Sequence, residues 1–342
     1  MKFLRFLLFP FAIIYDVVTT IRNFFFNVGV FKQTTFNTPV IVVGNLSVGG
    51  TGKTPQIEYL IRQLNKRFKV AVLSRGYKRK TNGFVLLNDV HKAIDVGDEP
   101  LQYFKKFKDI DVAVDANRVE GVKKLLQQKT PEVILLDDAY QHRKIKGSFY
   151  ILLTKFDDLF TNDFLLPTGN LRESRAGAKR ADIIIVTKCP SNLNKSKQIQ
   201  VKNKLKKFEK EVFFTSISYG NILSKETKIE LSTLINYDIL LVTGIANPNP
   251  LLDFLSTKKL NYKHLKYADH HNFTSAEIES IKLKFDELES DKKIILTTEK
   301  DFTRLYDIID NLFYIEIEVC FLENQRIDFN DKIISHIQQN RC

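Results

Sequence analysis

Hydrophobic and polar positions along the 342 residues alternate between short apolar runs and amphipathic stretches. Residues 40–43, 69–74, 111–114, 132–138, 150–154 and 181–188 are apolar, largely β-branched runs that read as strands buried on both faces. Helical stretches at 56–66, at about 100–107 and at 118–128 lie between them, with a hairpin-like segment at 83–87. Such alternation predicts an α/β fold: a mostly parallel sheet with helices on both faces, whose ligands gather at the carboxyl ends of the strands. At 191–210 the composition shifts to Lys, Asn, Gln and Ser, a solvated helix and boundary region. A second, smaller α/β set then follows: strands at 239–244, 264–267 and 293–298, helices at 249–257 and 275–288, and a closing strand (312–317) and helix (331–338). No internal repeat is evident. The expected organisation is an N-terminal segment (1–35), a first α/β domain (36–190), a smaller one (191–310) and a C-terminal strand and helix (311–342) that can return to the first domain.

The N-terminal segment has a different pattern. It is rich in Phe, Leu, Ile and Val, but Arg5, Asp16 and Arg22 interrupt it, and the uncharged run 6–15 contains Pro10 and is too short to cross a bilayer. No small-residue cleavage site follows. On a helical wheel Lys2, Arg5, Asp16, Thr19, Thr20, Asn23 and Asn27 share one face, with Phe3, Leu7, Phe11, Ile14, Val18, Phe25 and Val28 mostly elsewhere. This predicts an amphipathic helix at a membrane surface; a helix packed on the core is the bland alternative.

Chemistry concentrates after the first strand, in Val43-Gly-Asn-Leu-Ser-Val-Gly-Gly-Thr-Gly-Lys-Thr-Pro55. Gly49, Gly50 and Gly52 let backbone N–H groups turn toward an anion, Lys53 supplies a cation, and Thr54 has the hydroxyl that a Walker A loop places on Mg²⁺. The strict pattern asks for glycine at 47, where Ser47 stands. A P-loop NTPase-like domain that binds a nucleoside triphosphate follows.

Phosphoryl transfer further needs a metal and a group that orients or deprotonates the acceptor. Asp137 and Asp138 end an apolar strand, where a Walker B carboxylate reaches Mg²⁺; an acidic pair can also cap a turn. His142 lies in the same turn. Asp98 and Glu99 follow Gly97, and a carboxylate there suits a general base, although helix N-capping by Asp98 is its ordinary role. Asp269-His270-His271 can bind metal or contact nucleotide. Lys188 follows Thr187 as the lysine of a guanine-reading motif does, but Pro190 stands where that motif needs Asp. Thr298-Glu-Lys-Asp301 ends a strand at the crevice between domains, and Arg172, Arg175, Lys179 and Arg180 can meet an anionic substrate or form a solvated face.

A net charge of +12 suits an acidic partner. No basic and aromatic repeat or helix-turn-helix signature supports nucleic acid. Cys189, Cys320 and Cys342 are widely spaced, so neither a disulfide framework nor a structural zinc site is expected, and a reducing compartment fits.

Taken together, the P-loop segment, Ser74-Arg-Gly-Tyr77, Val96-Gly-Asp-Glu-Pro100, Asp137-Asp-Ala-Tyr-Gln-His142, Leu165-Leu-Pro-Thr-Gly-Asn-Leu-Arg-Glu173, Asp269-His-His-Asn-Phe273 and Thr298-Glu-Lys-Asp301 resemble the tetraacyldisaccharide 4′-kinase (lipid A 4′-kinase) family, in family order over nearly the whole chain. The resemblance implies an ATP- and Mg²⁺-dependent kinase that phosphorylates the 4′-hydroxyl of a tetraacyldisaccharide 1-phosphate at the cytoplasmic face of a bacterial inner membrane, as a monomer. By position it implies that Ser47, Val48, Gly49, Gly50, Thr51, Gly52 and Lys53 cradle the phosphates and that Thr54, Asp137 and Asp138 organise Mg²⁺. Asp98 is the implied base, with Lys53, Asp138 and His142 in the chemistry. His270 or His271 lies near the nucleotide, and Asn45, Arg75, Glu99, Gln141, Arg172 and Glu173 face the substrate. Ala139 replaces the family's usual glycine, Tyr140 its phenylalanine and Ser174 a frequent proline. From the residues alone, a P-loop ATPase or GTPase acting as an assembly or metallochaperone module is the alternative, and a membrane scaffold with a degenerate nucleotide site is a further one that the intact Gly-Lys-Thr argues against.

Overall fold

The structure, a computed structural model, describes residues 5–340. Lys2, Phe3 and Cys342, which entered the readings above, lie outside the described residues. In chain order the elements are α1 (Phe9–Asn27), β1 (Val40–Asn45), α2 (Lys53–Leu64), β2 (Val70–Ser74), β3 (Val85–Leu86), α3 (Ala93–Val96), α4 (Asp98–Lys106), β4 (Asp111–Val114), α5 (Arg118–Lys129), β5 (Val133–Asp137), β6 (Phe149–Lys155), β7 (Ile183–Thr187), α6 (Lys195–Leu205), β8 (Glu211–Leu223), β9 (Lys228–Ile229), β10 (Asp238–Thr243), α7 (Asn249–Thr257), β11 (Tyr262–Lys266), α8 (Ser275–Asp286), β12 (Lys293–Thr298), α9 (Glu299–Leu305), β13 (Leu312–Phe321) and α10 (Gln325–Gln339).

All strands join one sheet in the order β11-β10-β12-β13-β8-β7-β6-β1-β5-β2-β4-β3, with β9 beside β8. It contains two parallel blocks. β1 lies between β5 and β6, parallel to both, and is wholly buried. After α2 the chain passes beyond β5 to β2, and after β5 it returns past β1 to β6. That reversal at β1 is a topological switch point, so the loop after β1 opens into a crevice. In the second block β10, β11, β12 and β13 are parallel neighbours.

β8 joins the blocks. Its first residues pair parallel with β7, and from Thr215 onward it pairs antiparallel with β13. The periodic reading missed β8, β9 and α9. Much of β8 is only half-buried and reads Thr-Ser-Ile-Ser-Tyr-Gly-Asn, which lacks the continuous apolar run of its neighbours. α9 has seven residues and starts where β12 ends, too short for a helical repeat to declare itself. β13 runs to Phe321 and α10 starts at Gln325, both beyond the expected bounds. Phe329, Ile333 and Ile337 of α10 lie in one core with Ile41 and Val43 of β1 and Ile57 of α2.

α1 turns its polar stripe toward the protein. Arg5 donates to the carbonyls of Pro167 (2.9 Å) and Gly169, Tyr15 to the Arg172 carbonyl (2.7 Å), Arg22 to that of Gln141 (2.6 Å), and Asn23 to the Glu173 carboxylate (2.9 Å). Phe11, Ile14 and Val18 are 62%, 61% and 59% exposed. The helix is long and apolar enough, by length and composition, to cross a membrane. Its polar face, however, is spent on lateral contacts with the folded body.

Candidate active site

The loop from Leu46 to Gly52 leaves β1 and enters α2. Gly52, at φ +88°, occupies the cap position of α2 in a left-handed conformation that a side chain would strain. Ser47 is absent from the positive-φ residues, so this position has no need of the glycine that the strict motif specifies. The loop is held from outside. Val48 N–H donates to the Asn170 carbonyl (2.8 Å), Arg172 N–H to that of Leu46 (2.7 Å), and Thr187 Oγ1 to that of Thr51 (2.7 Å). The Pro-Thr-Gly-Asn segment and the end of β7 thus pre-form the cradle, and Lys53 at the head of α2 reaches back to Asn45 Oδ1 (3.5 Å) and Asp138 (3.6 Å).

The acidic pair at the end of β5 is split. Asp138, at φ +47°, receives Arg172 Nη1 at 3.0 and 3.1 Å as well as Lys53. Burial alone would raise its pKa, but Lys53 and Arg172 outweigh it and hold the carboxyl below its ordinary value. Asp137 accepts one hydrogen bond, from Ser74 Oγ (3.3 Å), and its Oδ1 is buried without a partner. Burial and the adjacent Asp138 push its carboxyl up to about 7. A buried carboxylate oxygen without a donor fits a hard divalent cation that takes its remaining ligands from phosphate and water. Among the described residues no group of three or more His, Cys, Asp and Glu is arranged to hold a metal ion by itself.

At the start of α4, Gly97 at φ +95° breaks α3 from α4 and sets Asp98 at the head of the helix. Asp98 is buried, and its carboxylate does not cap its own helix. It accepts from Arg304 Nε (2.8 Å) and Nη2 (2.5 Å) and pairs with His270 Nδ1 (2.8 Å). Burial opposes the charge, yet His270 and Arg304 hold the Asp98 pKa below its ordinary value. Lys300 Nζ lies 2.9 Å from His270 Nε2. An ammonium only donates, so Nε2 is the acceptor and the proton sits on Nδ1, facing Asp98. Lys300 also reaches Glu99 (3.8 Å) and Asp269 (3.3 Å). His271 turns elsewhere: its Nε2 meets both oxygens of Glu277 (2.9 and 3.0 Å) between the rings of Tyr267 and Phe273. Of the two histidines, His270 is the one that joins Asp98.

The remaining expected substrate residues divide. Arg75 is exposed, with no hydrogen bond or ion pair among the described residues. Gln141 donates to the Asn45 carbonyl (2.9 Å) and to Glu173 (3.0 Å), and Glu173 also accepts from Arg180 (2.8 Å) and Asn23. Asn45 is fully buried and donates to the Ser47 carbonyl (2.7 Å). These three side chains hold the P-loop, the turn after β5 and α1 together. Burial, with Arg118, Arg75 and Arg22 nearby, pushes the His142 pKa down to about 4, so this imidazole is neutral near pH 7. Lys188 lies beside the P-loop, its Nζ 3.9 Å from where a Cβ on Gly50 would be. Tyr140, where phenylalanine is usual, finds a partner for its hydroxyl in the Gly177 carbonyl (2.9 Å).

Sequence reasoning missed Arg304 and Arg118. Arg118, at the head of α5, is 1% exposed, with Nε and Nη2 unpartnered and the charges of Asp137 and Asp138 nearby. No local motif marks either arginine; each acquires its meaning from a carboxylate on another element.

A phosphate cradle with an ionised carboxylate on a neighbouring helix supplies the parts of a P-loop kinase. Comparison with known proteins narrows the class. The chain belongs to the tetraacyldisaccharide-1-P 4′-kinase family, which it matches over residues 4–338. It is 51% identical over 345 residues to a tetraacyldisaccharide 4′-kinase of Flavobacterium johnsoniae, covering 99% of both chains. It is 43% identical to that of Bacteroides thetaiotaomicron, covering 97% of this chain and 93% of that one. The crystal structure of LpxK from Aquifex aeolicus in complex with ATP superposes with a TM-score of 0.79 at 28% identity, covering 98% of this chain and 99% of that one. The chain is therefore a kinase, and its mixed, mostly parallel sheet is the fold of that family.

Proposed function

We propose that this chain transfers the γ-phosphate of ATP to the 4′-hydroxyl of a tetraacyldisaccharide 1-phosphate, a lipid A precursor, with Asp98 as the base. The observation that carries this reading is the Asp98 carboxylate, held ionised by Arg304 and His270 at the head of α4, with the adjoining Glu99 close enough to act on the charge of Asp137.

Backbone N–H groups of residues 47–52 and Lys53 bind the β- and γ-phosphates. Thr54 and Asp137 are the residues to hold Mg²⁺, with Asp138 behind them; when bound, the ion neutralises charge on the phosphate oxygens. Arg172 and Lys53 keep Asp138 anionic and fix its side chain. Asp98 accepts the proton of the acceptor hydroxyl as the oxygen attacks phosphorus, and the imidazole of His270 keeps the carboxylate aimed by donating from Nδ1. Arg75, exposed and unpaired, is free to meet an anionic group of the acceptor, and the neutral His142 donates or accepts a hydrogen bond near the transferred group.

The exposed apolar face of α1 supports attachment of a monomer to the cytoplasmic surface of an inner membrane, where the acyl chains of the acceptor reside. The test is transfer of label from γ-labelled ATP to the tetraacyldisaccharide 1-phosphate in detergent, with Lys53→Ala and Asp98→Ala beside the wild type. Labelled lipid from the wild type alone supports the assignment. ATP hydrolysis without labelled lipid sinks it.

A further inference from the structure

Behind the crevice lies a buried polar cluster that takes no part in the chemistry above. Gln102 Nε2 donates to Glu58 Oε1 and to Glu299 Oε2, each at 2.7 Å. Lys106 Nζ donates to Glu58 Oε2 and to Glu299 Oε1, again at 2.7 Å each. Glu58 is 1% exposed and Glu299 6%. Glu299 Oε1 also accepts from the Ile317 N–H of β13 (3.0 Å). Two donors thus span two carboxylates, and the four side chains close a ring.

The ring joins three helices, each of which carries a group of the candidate site. Glu58 lies one turn behind Thr54 on α2. Gln102 and Lys106 lie one and two turns behind Asp98 on α4. Glu299 starts α9, which carries Lys300 and Arg304. Burying this much charge is costly, and an apolar contact would serve cohesion as well or better. Apolar surfaces, however, let helices slide by fractions of a side chain, whereas a closed ring of hydrogen bonds is satisfied at one register only. Burial, followed by the facing Glu58, raises the Glu299 carboxyl above its ordinary value, while Glu58 and Glu299 outweigh burial to raise Lys106. Among the described residues, the lysine between them is the one cation hydrogen-bonded to both carboxylates.

We propose that Lys106 and Gln102 are positioning residues for phosphoryl transfer: by tying Glu58 to Glu299 they fix α4 between the P-loop helix and α9, and so fix the Asp98 carboxylate relative to the phosphate cradle. The proposal rests on Asp98 as the base, and the test separates the two.

The experiment measures kcat and KM for ATP in the labelled-transfer assay on the full chain, for Lys106→Met, Lys106→Arg, Gln102→Met and Asp98→Ala, and for Lys106→Met and Gln102→Met each combined with Asp98→Ala. A group acting through Asp98 lowers kcat with little effect on ATP affinity and adds little once Asp98 is gone. Expected are a fall in kcat of about tenfold or more for Lys106→Met and about threefold for Gln102→Met, with KM for ATP within about threefold and Lys106→Arg recovering part of the loss. In the Asp98→Ala background the further loss is expected to stay within about twofold. Wild-type kcat in folded Lys106→Met, or the full loss repeated in the Asp98→Ala background, overturns the positioning role. Should Lys106→Met fail to fold, Gln102→Met, which keeps the Lys106 cation between Glu58 and Glu299, decides by the same criteria. An Asp98→Ala enzyme with wild-type kcat removes the base assignment instead, whatever the Lys106 variants do.

Discussion

One nitrogen of Arg172 spans the carboxylate of Asp138, at 3.0 Å from one oxygen and 3.1 Å from the other, while Lys53 stands 3.6 Å away on the other side. Asp138 is thus ion-paired before any nucleotide arrives, whereas its neighbour Asp137 keeps a bare oxygen. Arg172→Leu leaves Asp138 to Lys53 alone and pulls that lysine from the phosphates. Transfer is expected to fall about tenfold or more, and Arg172→Lys to recover part of it, because an ammonium can repeat the single-nitrogen contact. Steady-state kinetics with labelled ATP checks this; equal activity of the leucine variant would sink it.

Asp98 depends on Arg304, a residue 206 positions away. Removing that cation stabilises the protonated carboxyl, so the pKa of Asp98 rises. A base must be ionised to act, and the acid limb of the kcat/KM profile should therefore move to higher pH in Arg304→Gln. A profile that keeps its wild-type limb while losing height would show that Arg304 does not set the charge of Asp98.

His142 carries a stability consequence. Its folded pKa, about 4, lies below the ordinary 6.5, so as pH falls through this window the unfolded chain takes up a proton that the folded chain refuses. Stability present above pH 6.5 is lost progressively toward pH 4. His142→Gln cannot charge, and its melting temperature should drop less than that of the wild type between about pH 7 and about pH 4.5. Parallel melting curves across that range count against it.

Serine at Phe11, Ile14 and Val18 removes largely exposed apolar surface. Sedimentation with anionic vesicles is expected to show binding weakened about tenfold or more, with transfer to a detergent-dispersed acceptor within about twofold of wild type. Undiminished vesicle binding would place the membrane contact elsewhere.

Much of this architecture was legible because its signals are local. β12 and α7 coincide with the expected spans, since Lys293–Thr298 centres on Ile294-Ile-Leu296 followed by β-branched threonines and Asn249–Thr257 has proline in its first turn. The phosphate loop and the acidic pair were legible for the same reason: each is written in consecutive residues. Arg304, Lys106 and Glu58 were not, because their partners lie on other elements and only the packing of α4 against α2 and α9 brings them together. β8 escaped because its burial comes from pairing with β13, about a hundred residues later in the chain, and not from its own composition.

The grip of α1 on the 163–173 segment has a mechanical consequence. Arg5 holds the Pro-Thr-Gly-Asn turn and Tyr15 holds Arg172 just after it, while Asn170 and Arg172 clasp Val48 and Leu46 of the phosphate loop. On the proposed reading, the bilayer and the nucleotide cradle are therefore separated by a single loop bonded on both sides. The level of the phosphate cradle above the lipid plane is then set by hydrogen bonds of the folded body, and loosening that loop would uncouple the cradle from the membrane helix.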